Sequence, residues 1–424
     1  MYTAVSFIIA VLKKIIPRPI VRLLRTPYHF LLAFFFALIN GFPAQKMFVV
    51  GVTGTKGKST VTEMLFTLLR AGGHSTALAS TIRFALNDHS EPNRFKMTMQ
   101  GRGHLQDFLG RARKKGATHA VVEITSEGTR QFRNSFLFLD ALVVTNISKE
   151  HIESHGSFEK YIAAKRSIVR TLETSSKKDR LLVSNNDNEH TAGFLSARVP
   201  HKAPFSQEEL QNVALHKESV SFSYKNTSFT VPFPGIFSAL NALSAIKVAE
   251  HYGIPRATLR GALATMPQVQ GRLEPVSCGQ NFRVIVDYAH TPDSLAALYE
   301  AFPEKKICVL GNTGGGRDTW KRPLMGKIAD ARCAEVILTN EDPYDEDPEK
   351  IIHDMCADMK KTPSIILDRR EAIRTALTKA TPGDVVLISG KGTDPYIMEA
   401  NGKKTPWSDA QVVREELEVL GFKK

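Results

Sequence analysis

Residues 51–60 read GVTGTKGKST and lie between an apolar run, 47–50, and a segment with apolar residues at helical spacing, 61–70. A buried strand, a glycine-rich turn and a helix N-terminus form an anion site, because free backbone N–H groups and the helix dipole converge there. In such a turn Lys58 reaches the outer phosphates of a nucleotide, and the hydroxyl of Ser59 ligates Mg²⁺. The stretch therefore predicts a nucleoside triphosphate site with these contacts: Gly54, Thr55, Lys56, Gly57, Lys58, Ser59 and Thr60.

The composition is ordinary for a globular protein, but the chain is strongly basic. It has 424 residues, of which 42% are hydrophobic and 23% charged, and this length suffices for two or three domains. A net charge of +13 suits nucleic acid, anionic lipid or acidic substrates. The sequence has no internal repeat, zinc-finger spacing or RNA-binding signature. We therefore expect no nucleic-acid partner.

The four cysteines are Cys278, Cys308, Cys333 and Cys356, well separated and without a C-x-x-C pair. This spacing is typical neither of a zinc site nor of a disulfide framework. It predicts four reduced core residues in a cytoplasmic protein.

The first 46 residues carry six basic side chains and no Asp or Glu. Two apolar runs, 4–12 and 30–39, are each shorter than the roughly 20 residues that cross a bilayer. Basic residues beside Phe- and Leu-rich segments suit helices on an anionic membrane surface, here the inner face of the membrane. Alternatively, 30–39 docks on the body of the protein as a hydrophobic lead-in. Both interpretations stay open. The basic residues are Lys13, Lys14, Arg18, Arg22, Arg25 and Lys46.

From residue 47 onward, apolar strands alternate with amphipathic helices, which predicts an α/β protein with a mostly parallel sheet. A β-hairpin is expected at 220–231, and a domain boundary after the helix predicted at 257–265. We predict an N-terminal segment at 1–46, a central ATP-binding domain at 47–271 and a C-terminal domain at 272–424. The predicted strands are 119–124, 141–145, 181–184, 283–286, 306–310, 335–339 and 385–389.

Glu123 ends one of these strands and should therefore lie at the carboxyl edge of the sheet, where ligands bind in such folds. A carboxylate at this edge can hold Mg²⁺ against the phosphates of a nucleotide. Glu123 is therefore a predicted metal ligand together with Ser59.

Three further blocks carry a family resemblance. Residues 145–156 read TNISKEHIESHG, residues 163–165 read AAK, and residues 287–293 read DYAHTPD. With the TGTKGKS turn, these blocks closely resemble the Mur ligases, from about residue 47 to the end of the chain. The most similar branch adds the third residue of the peptidoglycan peptide. The resemblance implies a P-loop central domain and a Rossmann-like C-terminal α/β domain.

The resemblance also implies roles for individual residues. His151 helps to bind a second Mg²⁺, and Lys165 is carbamylated so that it supports the metal site. The metal set is then Ser59, Glu123, His151 and Lys165, and the catalytic set is Lys58, Lys165, His151 and Arg272. Asn241 lies near the adenine, while Asp287 and His290 reach the nucleotide from the C-terminal domain when the enzyme closes.

The implied activity is an ADP-forming, ATP-dependent ligation of an acid to an amino acid. A muramyl-peptide carboxylate attacks the γ-phosphate of ATP, and the amino group of an amino acid then displaces phosphate from the acyl phosphate. Two Mg²⁺ ions, lysines and arginines neutralise the anionic substrates. We expect a monomer that serves peptidoglycan precursor synthesis.

Departures from the family pattern leave both substrates open. The family's N-terminal UDP-binding domain has no counterpart in the sequence, so either a UDP-linked or a lipid-linked acceptor is expected. The family's D-N-P-R reads EDPY at 341–344, and the loss of its Arg removes a bidentate carboxylate partner. The acidic run at 341–347 suits a cationic side chain such as lysine, or is simply a solvated charge cluster. The candidate substrate-binding residues are Thr125, Ser126, Asp342, Pro343, Tyr344, Gly390 and Asp394.

Two alternatives to the Mur activity remain. One is a ligase for another carboxylate, similar to folylpolyglutamate synthetase, although the block at 287–293 favours the Mur branch. The other is a membrane-associated ATP-binding protein without ligase activity. Departures from the family pattern at Glu127, Thr393 and Asp394 keep this second alternative open.

Overall fold

The computed structural model describes residues 18–101, 103–150, 153 and 156–423. His151 and the apolar run 4–12, both singled out from the sequence, lie outside the described residues. The helices are α1 (Arg18–Ile39), α2 (Lys58–Ala71), α3 (His104–Lys114), α4 (Ser126–Arg130), α5 (Phe158–Glu173), α6 (Ile236–His251), α7 (Arg256–Ala264), α8 (Pro292–Glu300), α9 (Lys321–Arg332), α10 (Pro348–Cys356), α11 (Arg369–Lys379) and α12 (Asp409–Val419).

The strands confirm the predicted set and extend it. They are β1 (Phe48–Thr53), β2 (Thr76–Ala79), β3 (Arg83–Leu86), β4 (His89–Pro92), β5 (His119–Glu123), β6 (Ala141–Val144), β7 (Leu181–Asn185), β8 (His201–Phe205), β9 (Gln211–Leu215), β10 (Val220–Tyr224), β11 (Thr227–Val231), β12 (Glu274–Pro275), β13 (Arg283–Asp287), β14 (Lys306–Leu310), β15 (Glu335–Leu338), β16 (Ser364–Ile365), β17 (Val385–Ser389), β18 (Tyr396–Met398) and β19 (Lys404–Pro406).

The first sheet has the order β4-β3-β2-β5-β1-β6-β7-β8, with β1 in parallel between β5 and β6. Its central strands are near-continuous apolar runs because both faces are covered. Val49 packs into the hydrophobic cluster on one face, while Val50 and Val52 pack into the cluster on the other. The parallel arrangement puts the carboxyl ends of β1 and β5 at one edge, as the sequence predicted for Glu123.

A three-stranded sheet, β11-β10-β9, stands beside the first. Its β10–β11 pair is the predicted hairpin, with Val220 opposite Val231. The buried residues of α6 share a cluster with those of α2 and of this hairpin. Helix α6 therefore bridges the nucleotide-binding helix and the small sheet.

The last sheet has the order β12-β13-β17-β14-β15-β16 and is parallel except for β12. It begins at Glu274, directly after the predicted boundary near residue 271. The exact domain limits stay a prediction. A short hairpin, β18–β19, was not predicted and lies over one end of this sheet's ligand edge.

The prediction of four reduced cysteines is wrong. Cys308 and Cys333 form a disulfide with Cα atoms 6.2 Å apart, while Cys278 and Cys356 are free thiols. Cys308 lies in β14, and Cys333 ends α9 just before the neighbouring strand β15. The sheet thus brings together two residues 25 positions apart, a separation that has no disulfide signature in sequence.

Helix α1 docks on the body of the protein and also keeps an apolar face exposed. Phe36 and Ala37 are buried, and Phe36 lies so close to Gly103 that a Cβ there would clash with its ring. The exposed face consists of Phe30, Leu31, Phe34, Phe35, Leu38 and Ile39. Within the described residues, no helix combines the length and apolarity needed to traverse a bilayer.

We predict that His119 makes the fold acid-sensitive. Burial, and next the charge of the stacked ring of His74, lower the pKa of His119 to about 4. In the unfolded chain the imidazole of His119 binds its proton near pH 6.5. The neutral, buried ring therefore contributes fully to the free energy of unfolding above that pH, and this contribution is lost as the pH falls toward 4. In urea unfolding at pH 7.5 and pH 5, His119→Phe should lose less stability than the wild type. An equal loss in both proteins would contradict this assignment.

Candidate functional site

The glycine-rich turn joins β1 to α2 and needs glycine at two positions. Gly57 caps α2 with φ 78°, and a Cβ there would lie 2.6 Å from Asn241 Oδ1. At Gly54 (φ 145°), a Cβ would lie 2.0 Å from Thr145 Oγ1. The backbone therefore passes close to α6 and to the chain after β6. Asn241 lies against the turn, and its place near the adenine stays a prediction.

Lys58 and Ser59 begin α2 on opposite sides of the turn. Lys58 Nζ donates to the carbonyl of Thr55 at 2.8 Å, which holds the ammonium over the loop. Ser59 Oγ donates to Glu123 Oε2 at 3.1 Å, and both side chains are buried. Hydroxyl and carboxylate oxygens are the hard ligands that Mg²⁺ prefers, so this pair fits a magnesium ion beside the phosphates.

Lys165 lies on α5 and is 2% exposed. Its Nζ donates to Gly54 O at 2.8 Å and to Thr53 Oγ1 at 3.3 Å. Burial, and next the charge of Lys58, lower the pKa of Lys165 well below its usual range. Among the described residues, no carboxylate lies within ion-pair distance of this amine. The site therefore contains a buried amine beside the predicted metal ligands and without a counter-ion.

Glu150 connects the turn to the C-terminal domain. Its Oε1 lies 3.2 Å from Lys56 Nζ and 2.8 Å from His290 Nε2. His290 Nδ1 lies 2.7 Å from Tyr288 O, so that nitrogen carries a proton. Burial, and next the charge of Lys56, lower the pKa of His290 to about 4, although Glu150 opposes this shift. Nε2 of the His290 ring therefore faces the Glu150 carboxylate across the junction of the two domains.

Arg272 and Asp287 lie at the junction of the two domains. Arg272 Nη2 reaches Ser59 Oγ at 3.4 Å, and its guanidinium stacks over the ring of Tyr288 at 4.4 Å. Asp287 accepts hydrogen bonds from the backbone N–H groups of Leu273 at 2.8 Å and Ala289 at 2.7 Å. The guanidinium of Arg272 therefore lies beside Ser59, where the phosphates of a nucleotide would bind. Asp287 fixes the backbone of the hinge, and its contact with a nucleotide stays a prediction.

A cavity of about 300 Å³ lies between the domains, next to the turn. Lys96 and Glu150 line it from the central domain, and His290 from the C-terminal domain. Four of the predicted substrate-binding residues line it as well: Asp342, Tyr344, Gly390 and Asp394. Pro343 is not among the lining residues. Thr125 instead caps α4 by accepting from Gly128 N at 3.1 Å, and Ser126 is buried.

Sequence reasoning missed three charged residues at this site. Glu150 belongs to the block 145–156, and Lys391 directly follows Gly390, a predicted substrate-binding residue. Lys96 lies in the loop after β4, within no motif, and reaches Asp342 from a distance of 246 residues along the chain. No sequence pattern indicated Lys96.

Comparison with known proteins gives two matching family models and similar full-length relatives. Residues 52–249 match the Mur ligase middle domain, and residues 271–392 match the Mur ligase, glutamate ligase domain. The UDP-N-acetylmuramoyl-L-alanyl-D-glutamate–2,6-diaminopimelate ligase of Caldanaerobacter subterraneus is 34% identical over 391 residues, which is 88% of this chain and 79% of the relative. A UDP-N-acetylmuramyl-tripeptide synthetase of Roseiflexus is 34% identical over 421 residues, 91% of this chain and 81% of the relative.

Solved structures show the same fold. A UDP-N-acetylmuramoyl-L-alanyl-D-glutamate–2,6-diaminopimelate ligase superposes with a TM-score of 0.60 at 27% identity, over 88% of this chain and 79% of the other. The folylpolyglutamate synthase of Mycobacterium tuberculosis reaches a TM-score of 0.69 at 15% identity, over 85% and 92%. At that identity, the second likeness concerns the fold alone.

Proposed function

This chain belongs to the Mur ligase family, and from that premise we propose that it joins a muramyl-peptide carboxylate to the amino group of an amino acid in peptidoglycan precursor synthesis. ATP is the energy source, as in the ADP-forming ligases of this family. The observation that carries the proposal is the position of the cavity, since Glu150 both lines it and contacts Lys56 of the P-loop. A substrate in the cavity is thereby next to the phosphates of a bound nucleotide.

The reaction has two balanced steps. An oxygen of the acceptor carboxylate bonds to the γ-phosphorus of ATP, and the bond to ADP breaks. The free amine then attacks the acyl carbon, phosphate leaves with the bonding electrons, and the nitrogen loses a proton to form the amide. The acceptor carboxylate and the triphosphate are both anionic, so Lys58 and Arg272 serve to neutralise their charge and align them.

We propose two magnesium ions, as the family resemblance implies. Ser59 and Glu123 would hold one ion, and His151 with Lys165 the other, provided that Lys165 carries a carbamate. Bound magnesium would supply additional charge neutralisation at the phosphates. Carbamylation is supported by the environment of Lys165: a buried neutral amine is a nucleophile for CO₂, and the product, a carbamate anion with release of one proton, suits a site with Lys58 nearby.

We predict that ¹³CO₂ labels Lys165 in the wild-type protein. A carbamate carbon signal should appear in the ¹³C spectrum, be absent from Lys165→Met, and persist in the control Lys114→Met, which changes an exposed lysine of α3. A labelled wild type whose signal survives in Lys165→Met would place the carbamate elsewhere. No signal in any of the three would mean that Lys165 acts as an unmodified amine.

The ligase activity can be tested across a matrix of substrates. We expect phosphate release and a product heavier by one amino-acid residue with a muramyl dipeptide, either UDP-linked or lipid-linked, and not with a folate. Lys58→Ala should reduce turnover by at least about 1,000-fold, because it removes a charge from the reacting phosphates. Lys114→Ala, on the exposed side of α3, should leave turnover unchanged. A folate product would favour the folylpolyglutamate-like alternative, and ATP binding without any product would favour the non-ligase one.

We further propose that the protein acts in the cytoplasm as a monomer in peripheral contact with the membrane. The support is α1, whose exposed face carries Leu31 (62% exposed) and Phe35 (49% exposed) and whose sequence includes Arg18, Arg22 and Arg25. Apolar and basic side chains on one helix favour an anionic lipid surface. Such contact would suit a lipid-linked acceptor.

We predict that the wild type sediments with anionic liposomes and that Leu31→Ser/Phe35→Ser does so several-fold less. The matched control is Val213→Ser/Leu215→Ser, which removes two exposed apolar side chains from β9. Liposomes of neutral lipids should bind all three proteins weakly. Equal sedimentation of both double variants would rule out α1 as the lipid contact, and light scattering of the free protein would test the monomer.

A further inference from the structure

One end of the interdomain cavity collects three carboxylates of the C-terminal domain: Glu341, Asp342 and Asp394. Glu341 and Asp342 are each 3% exposed. Such a concentration of negative charge away from water is unfavourable unless cations accompany it. The arrangement of these cations indicates what the cavity binds.

Lys391 is the internal counter-ion of the cluster. Its Nζ lies 2.7 Å from Asp342 Oδ1 and 3.7 Å from Asp394 Oδ2, and it donates to Tyr396 O at 2.7 Å. Lys391 is fully buried, so it is a fixed part of the wall. Lys391 and the buried guanidinium of Arg369, which pairs with Asp409 and interacts electrostatically with Glu341 and Asp342, are therefore the fixed cations near these three carboxylates.

Glu341 lines the cavity, and one of its two carboxylate oxygens is buried without a hydrogen-bond partner among the described residues. Its Oε1 accepts from Thr313 Oγ1 at 2.8 Å, whereas Oε2 has no hydrogen-bond partner within the described part of the chain. Gly390 leaves the space in front of Oε2, since a Cβ there would lie 2.3 Å from that oxygen. Glu341 thus offers a buried acceptor to a donor that enters the cavity.

Lys96 supplies the second ammonium, and it comes from the other domain. Its Nζ lies 2.5 Å from Asp342 Oδ2, 3.3 Å from Asp394 Oδ2 and 3.5 Å from Tyr396 O. Unlike Lys391, it belongs to a surface loop: Phe95 and Met97 on either side are 51% and 44% exposed. Lys96 also has a left-handed backbone with φ 51°, which a lysine rarely adopts. This ammonium can be withdrawn, whereas the one on Lys391 cannot.

We propose that this end of the cavity is a subsite for the side-chain ammonium of a basic amino acid, and that Lys96 holds the place of that ammonium until the amino acid binds. The inference rests on the proposed ligase function and names its amine substrate by class: an α-amino acid with a second, terminal primary amine and a single carboxylate. An incoming ammonium has the same charge and the same three N–H donors as Lys96. The exchange therefore leaves Asp342 and Asp394 paired throughout.

The opposite role for Lys96, binding an acidic group of the substrate, fits the contacts less well. Its three N–H groups already face Asp342, Asp394 and the carbonyl of Tyr396. A substrate carboxylate at this position would have to compete with Asp342 and would stand beside two further carboxylates. Like charges in such contact strongly disfavour a ligand. The surroundings of Lys96 thus disfavour a distal carboxylate beside Asp342, although Arg317, Lys321 and Lys404 also line the cavity.

The first test compares amino acids with the acceptor and ATP held constant. We expect kcat/KM for lysine and ornithine to exceed that for norleucine, which lacks only the ammonium, and that for diaminopimelate, each by about 100-fold. Asp394→Asn should raise KM for lysine about 10-fold. Higher kcat/KM for norleucine, diaminopimelate or glutamate would overturn the subsite and leave the ligase function standing.

The second test detects displacement without turnover. With a non-hydrolysable ATP analogue, saturating lysine should increase acetylation of Lys96 by an amine-reactive reagent several-fold, as measured by mass spectrometry. Norleucine should not have this effect, and acetylation of Lys114 should stay constant. Protection or no change at Lys96 would contradict displacement, even if lysine is the substrate.

Lys96→Met separates the two roles further. If Lys96 holds the place of the substrate ammonium, the variant should show a lower KM for lysine, because the internal competitor is gone. A higher KM together with a lost response to diaminopimelate would instead identify Lys96 as a ligand for a substrate carboxylate. Failure of every amino acid to give product, with lysine still exposing Lys96, would overturn the proposed reaction while retaining the subsite.

Discussion

The carboxylate of Glu150 is the contact on which the arrangement of this enzyme depends. It binds Lys56 of the phosphate-binding turn at 3.2 Å and contacts His290 of the C-terminal domain at 2.8 Å. Because both contacts use the same oxygen, the distance between the two domains is fixed at the point where the nucleotide meets the cavity. Glu150 is buried, so separating it from its partners without replacing them would leave a charged group unpaired and away from water. A nucleotide and its metal can supply that substitute.

The balance of charge around the turn explains the environment of Lys165. Lys58 and Lys56 already place two cations beside it, and burial disfavours a third. A neutral amine at Lys165 relieves that repulsion, and a carbamate reverses its sign. Lys58 on α2 thus attracts phosphate, whereas Lys165 on α5 would, with the proposed carbamate, supply the opposite charge for a metal. Both depend on α5 packing against the end of β1, where Lys165 donates to Gly54 O.

Local patterns predicted most of the fold, whereas contacts across the chain were harder to predict. The strands and the β10–β11 hairpin follow from runs of apolar residues, and Glu123 was correctly expected at the edge of its sheet because strand order fixes which ends meet. The Cys308–Cys333 disulfide and the loop of Lys96 depend on how separate elements pack, so no short window of sequence contained them. Arg272 was predicted from a motif, but its contact with Ser59 required the relative position of two domains.

Tyr344 occupies the position where the family resemblance implied an arginine. This difference leaves the end of the cavity around Asp342 acidic. An arginine here would neutralise Asp342 from within the same loop, and it would offer a fork for a substrate carboxylate. Tyr344 offers only a ring, with Lys96 Nζ 6.0 Å and the guanidinium of Arg317 5.0 Å from its centre. The missing charge is then restored by Lys96 on a flexible stem from the other domain. A fixed cation defines a site for anions, whereas a removable cation leaves behind a site for another cation. The specificity of the cavity therefore follows from where its positive charge is attached.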